Sequence, residues 1–67
     1  MELKVFVNGE PTLTSAATLA ELVAQFGFAE AGVATALNGD FVPRTARQAR
    51  RLVGDDQVEI VSPRQGG

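Results

Sequence analysis

Polar and apolar residues alternate over residues 1–7: Leu3, Val5 and Val7 point one way, Glu2, Lys4, Phe6 and Asn8 the other. A period of two is the mark of a half-buried strand. Asn8-Gly9 then offers two residues that tolerate positive φ, as a type I′ hairpin turn requires. Residues 10–14 form the return strand, with Leu13 expected inward. Pro11 assigns that strand to a sheet edge, where a missing N–H removes no ladder bond. The pattern next changes period. Thr18-Leu19-Ala20-Glu21 has the form of a capping box, a hydroxyl at the cap and a carboxylate three residues on. Leu19, Leu22, Val23 and Phe26 follow at the i, i+3, i+4, i+7 spacing of one helix face. Gly27 stands where such a helix exits through a left-handed residue. The prediction is a helix of roughly two to three turns whose stripe covers a sheet.

Period two returns after Gly32. Val33, Thr35 and Leu37 share one face, Ala34, Ala36 and Asn38 the other, and Asn38-Gly39 predicts a second hairpin with Phe41-Val42 as its short return, stopped by Pro43. Over residues 44–52 a short helical turn is expected to pack Leu52 and Val53, with Arg44, Arg47 and Arg51 on one solvated face. Gly54-Asp55-Asp56 is a turn. Residues 57–61 form the last strand, Val58 and Ile60 inward, in the interior of the sheet. Pro63 ends it, since proline cannot donate to a ladder. Two hairpins separated by a helix, with a final strand joining the sheet, make an α+β, β-grasp (ubiquitin-like) fold: a mixed sheet of four to five strands with one main helix packed on one face. Residues 1–67 are expected to be a single domain with a flexible tail over residues 62–67.

Composition narrows the chemistry. In 67 residues there is no Cys and no His, and no Trp or Tyr. Disulfides, thiolate metal sites and thiol catalysis are therefore excluded, and an enzyme would have to work without imidazole. A net charge of −2 argues against nucleic acid as a partner. No apolar run approaches the ~20 residues that span a bilayer, and no export leader is visible at the amino end, so the expected location is cytoplasmic, without a membrane partner. Asp40, Asp55 and Asp56 fall in turns, which favour Asp for its local hydrogen bonds; no metal is assigned to them. The Arg44, Arg47, Arg50 and Arg51 cluster lacks the interleaved aromatics of a nucleic-acid surface.

The chemistry instead collects at the end of the chain. Gly66 and Gly67 carry no side chains, so a Gly-Gly terminus can thread a channel too narrow for any Cβ and presents a bare carboxylate. Six residues, 62–67, reach roughly 20 Å when extended. Arg64 and Gln65 would enter a partner's cleft with the glycines, Arg64 suited to a partner carboxylate. On the outward face of the sheet, Phe6, Ala34, Ala36 and Val61 are the expected docking face for that partner, with Val61 leading into the tail.

Several strings together resemble the ThiS family of ubiquitin-like sulfur carriers: Val7-Asn8-Gly9-Glu10, then Val33-Ala34-Thr35-Ala36-Leu37-Asn38-Gly39-Asp40-Phe41-Val42-Pro43-Arg44, then Gly54-Asp55-Asp56-Gln57-Val58-Glu59-Ile60-Val61, and the closing Gly66-Gly67. The resemblance covers nearly the whole chain. It departs at Gly54-Asp55-Asp56, where the family usually has Asp-Gly-Asp, and after Arg44, where an aromatic common in the family is missing.

The resemblance implies a carrier protein of thiamin biosynthesis, not an enzyme. A ThiF-like adenylyltransferase would use ATP and Mg to turn the Gly67 carboxylate into an acyl-adenylate. A persulfide sulfur donor would convert this to a thiocarboxylate, and thiazole synthase (ThiG) would take the sulfur. No cofactor would be bound by the carrier itself. The alternatives are a carrier for molybdopterin synthesis, a non-catalytic β-grasp protein-binding module, and a conjugated modifier resembling ubiquitin.

Overall fold

The computed structural model describes residues 2–28 and 32–62. The first hairpin consists of β1 (Leu3–Val7) and β2 (Glu10–Thr14), followed by the helix α1 (Leu19–Gln25). A second hairpin, β3 (Ala34–Leu37) and β4 (Asp40–Val42), leads into a 3₁₀ helix (Arg44–Ala49) and the last strand β5 (Gln57–Val61). The sheet order is β2-β1-β5-β3-β4. β1 and β5 run parallel, while the other neighbours are antiparallel. The last strand is thus the central one, as its run of Val58, Ile60 and Val61 predicts. Both Asn-Gly turns have the expected geometry, with Asn8 and Asn38 at φ 52° and Gly9 and Gly39 at φ 86° and 88°.

One face of the sheet is closed. Val5, Val7, Leu37, Val42, Val58 and Ile60 pack with Leu19, Leu22 and Val23 of α1 and with Leu52. α1 starts as its sequence predicts: the Thr18 hydroxyl accepts from Glu21 N–H at 3.3 Å, and the Glu21 carboxylate accepts from Ala17 N–H at 2.9 Å. It ends one residue before left-handed Gly27 (φ 79°) at the Phe26 cap.

Four expectations need correction. Leu13 faces outward and is 64% exposed. The two-residue turn pairs Leu13 with outward Lys4, and Thr12 and Thr14 with inward Val5 and Leu3. The register therefore sends the threonines inside, and the buried Thr14 hydroxyl bonds Ala16 N–H and the Gln25 side chain. Phe26 does not join the core. It lies ~10 Å along the axis from Leu19, beyond the apolar cluster, and stacks on Phe28 with ring centroids 6.2 Å apart. Val53 is likewise exposed, whereas Leu52 is buried.

The fourth correction concerns the arginines. Arg44 and Arg51 are exposed and Arg50 is half-buried, but Arg47 is only 2% exposed. Its Nε donates to the Thr35 hydroxyl at 3.0 Å and its Nη2 to the Val33 carbonyl at 2.7 Å. Thr35 in turn donates to the Val42 carbonyl at 2.8 Å. Thr35 is an inward position on β3, so its hydroxyl needs partners in the interior; Arg47 supplies one and ties the 3₁₀ helix to the second hairpin.

The turn before β5 is also fixed from inside. Buried Asp56 accepts from Val53 N–H at 2.8 Å and from Asn38 Nδ2 at 3.0 Å. The left-handed residue of that turn is Asp55, at φ 70°.

Candidate functional site: the open sheet face beside the end of β5

Strand alternation that buries Val58 and Ile60 must turn Gln57, Glu59 and Val61 to the opposite face. Register places their neighbours. Val61 is level with Ala34, and Glu59 with Ala36, which is in turn level with Phe41 across the second hairpin. Ala34, Ala36 and Val61, three of the expected docking residues, therefore come together where β5 ends. Ala34 and Ala36 are half-buried and Val61 is 58% exposed.

Phe6 shares this face but stands apart. It is level with Gln57 on β1, four residues before Val61 and so ~13 Å along the strand. Its neighbour is not a small residue but Lys4, whose ammonium lies 5.2 Å from the ring centroid. The same ammonium is 3.8 Å from Asp55. Both charged groups are well exposed.

The residue that completes the cluster was missed. Phe41 is 69% exposed and stands opposite Ala36. Its position follows from the Asn38-Gly39 turn, since a two-residue turn that pairs residue 37 with residue 40 must pair 36 with 41. Val42 then points inward and Phe41 outward. Two alanines between Phe41 and Val61 leave a low, apolar strip, with Glu59 at its border.

The remaining expected site residues, Arg64, Gln65, Gly66 and Gly67, lie outside the described residues. Ser62 directly follows β5, so the open face and the exit of the chain toward them are contiguous. Elsewhere, an open groove between α1 and the 3₁₀ helix is lined by Thr18, Ala20, Glu21, Ala24 and Gln48. Nothing in that set pairs a nucleophile with a base. Among the described residues, no group of three His, Cys, Asp or Glu side chains is placed to hold a metal ion, and no helix is long and apolar enough to cross a membrane.

Comparison with known families decides what this arrangement belongs to. The model of the ThiS family matches residues 2–67. The chain belongs to the ThiS family. A solved relative agrees: the crystal structure of the thiamine biosynthesis protein (ThiS) from Geobacter metallireducens superposes with a TM-score of 0.78 at 30% identity, covering 97% of this chain and 100% of that one. No curated protein matches the chain significantly. The five-stranded mixed sheet with, among the described residues, one α-helix is accordingly the ubiquitin-like β-grasp of ThiS proteins, and the family resemblance holds over residues 2–67.

Proposed function

We propose that the chain is a sulfur carrier of thiamine biosynthesis whose reacting group is the Gly67 carboxylate. The observation that carries this reading is the ThiS family match, which runs through residue 67 and so includes Gly66 and Gly67. The thiamine role of the Geobacter metallireducens relative supports the thiazole branch over molybdopterin synthesis.

A carboxylate is a poor electrophile because its leaving group would be an oxide. Attack by Gly67 on the α-phosphorus of ATP, with loss of pyrophosphate, makes a mixed anhydride that can expel AMP. The terminal sulfur of a persulfide attacks the acyl carbon and AMP leaves, giving an acyl disulfide. A thiol then cleaves its S–S bond, so the thiol is oxidised and the thiocarboxylate is released on Gly67. All catalytic groups come from the adenylyltransferase and the sulfur donor, with Mg accompanying the nucleotide. The carrier contributes reach, through Arg64, Gln65 and Gly66, and recognition, through the strip formed by Ala34, Ala36, Phe41 and Val61. Thiazole synthase is the acceptor of the sulfur.

Intact-mass measurement tests the reading. The chain is incubated with ATP, Mg, a ThiF-like adenylyltransferase and a persulfide donor. The expected result is a mass gain equal to one oxygen-to-sulfur exchange, abolished by deletion of Gly67. An isopeptide to a lysine of another protein would make the chain a modifier instead. An unchanged mass would leave a non-covalent binding module and overturn the proposal.

A further inference from the structure

β1 accompanies β5 for only two register pairs, Phe6 with Gln57 and Val7 with Val58, because the chain turns back at Asn8-Gly9. Alternate residues of a strand send their backbone groups to opposite neighbours. On the β1 side, the Asp56 and Val58 carbonyls accept from Phe6 N–H and Asn8 N–H, each at 2.8 Å. Ile60 is the next residue to face that side, and β1 has already ended. The Asn8 side chain fills the gap. Its Nδ2 donates to the Ile60 carbonyl at 3.0 Å, and its Oδ1 accepts from Ile60 N–H at 2.9 Å. One carboxamide makes both bonds that a longer β1 would have made.

Asn38 provides a natural counterpart. It holds the same position in the same kind of turn, at the same φ of 52°. Its Oδ1 accepts from Gln57 N–H at 2.9 Å, but at the opposite end of β5. The two asparagines match in turn geometry and in accepting from a β5 N–H; they differ in which end of the central strand they hold, and the Asn38 Nδ2 donates to the Asp56 carboxylate rather than to a strand carbonyl.

We infer that Asn8 is a positioning residue for the terminal glycines: by gripping Ile60 it fixes the line along which β5 delivers the chain beyond Ser62 into the activating partner. This role rests on the sulfur-carrier reading. With the grip gone, the end of β5 must be ordered again at each encounter. Ordering a single backbone residue is equivalent to about tenfold in an equilibrium constant. The loss should appear in binding of the carrier, since the carboxylate chemistry itself is untouched.

The test uses Asn8→Gly and Asn38→Gly in the full chain. Glycine keeps the positive φ of each turn and removes only the carboxamide. Two quantities are read: amide exchange of Val61, which pairs with Ala34 on the β3 side, and KM and kcat for adenylation by a ThiF-like enzyme. Asn8→Gly should speed Val61 exchange about tenfold and raise KM for the carrier about tenfold with kcat unchanged. Asn8→Asp, which keeps the acceptor for Ile60 N–H and loses the donor, should recover part of the loss. Asn38→Gly should leave KM alone even though it too removes a bond to β5. Equal KM changes in the two glycine variants would show a general stability effect and overturn the inference. So would a normal KM and a normal Val61 exchange rate in Asn8→Gly. An unaltered chain that is never adenylated overturns the sulfur-carrier reading, and this inference with it.

Discussion

The two faces of the sheet are written by the same alternation and end differently. On the closed face, Val5, Val7, Leu37, Val42, Val58 and Ile60 are nearly inaccessible beneath α1. On the open face, Leu13, Phe41 and Val61 remain 58–69% exposed. Burial of apolar area holds the first face together within the chain. The second gains little from the fold itself, so the proposed docking role, and not folding, is what its apolar residues beside β5 would serve. A sheet with one covered face ordinarily carries polar residues on the other. Here the polar rule holds at Lys4, Gln57 and Glu59; it fails at Leu13 on the far edge, and as a cluster at Phe41 and Val61 beside the exit of β5.

The largest effect that could sharpen this contrast lies on the closed face. Leu22 is fully buried, and Leu22→Ala should cost about 3 kcal/mol, with a cavity contribution on top of the lost transfer energy. A chain of this size has a total stability of roughly 3–10 kcal/mol, so thermal unfolding should shift down by roughly 12–24 °C. Calorimetry or thermal circular dichroism measures it. A shift of only a few degrees would mean that the helix-covered face is not the principal source of stability.

On the open face the order of effects should reverse. Phe41→Ser should change stability by less than about 0.5 kcal/mol, as substitutions at exposed positions do. It should nevertheless weaken binding of a ThiF-like partner by roughly tenfold or more, the scale of losing a buried aromatic anchor from an interface. Leu13→Ser is the matched control. Leu13 is equally exposed on the same face, but at the opposite edge of the sheet and level with Lys4. Titration calorimetry with the partner should show a loss for Phe41→Ser and none for Leu13→Ser. Equal losses would spread the docking surface over the whole face, and no loss at Phe41 would remove it from the strip.

The features read correctly from sequence were those fixed by local geometry. The Asn-Gly turns, the Thr18 cap, the Gly27 exit and the inward Val58 and Ile60 each depend on a few adjacent residues and a fixed period. The central place of β5 followed from its apolar run. What escaped was set by register between strands. Leu13 is hydrophobic and so was expected inside, yet counting pairs outward from the Asn8-Gly9 turn puts it opposite Lys4. The same counting from Asn38-Gly39 places Phe41 opposite Ala36 on the open face. Arg47 escaped for a different reason: a guanidinium is normally solvated, and the partners that favour its burial, among them the inward Thr35 and the carbonyl of Val33, are distant in sequence. The side-chain bonds of Asn8 and Asn38 to β5 likewise span 52 and 19 residues, and no local pattern announces them.

The smallest expected effect tests whether the open face has any stabilising network of its own. Lys4 makes the two charged contacts found there, 3.8 Å to Asp55 and 5.2 Å to the centre of the Phe6 ring. Both charged side chains are more than half exposed, so water and salt screen the ion pair, and such pairs contribute about 0–1 kcal/mol. An exposed cation–π contact adds about 0.5–1 kcal/mol at most. Holding one long side chain in a single geometry also has an entropic cost that offsets part of both. Lys4→Gln should therefore lower stability by less than about 1 kcal/mol, and the small difference should shrink further in high salt as the ion pair is screened. Chemical denaturation at low and high ionic strength measures both quantities. A loss near that of Leu22→Ala would mean that Lys4, Phe6 and Asp55 hold the sheet from the outside, and that the open face is shaped by folding rather than by a partner.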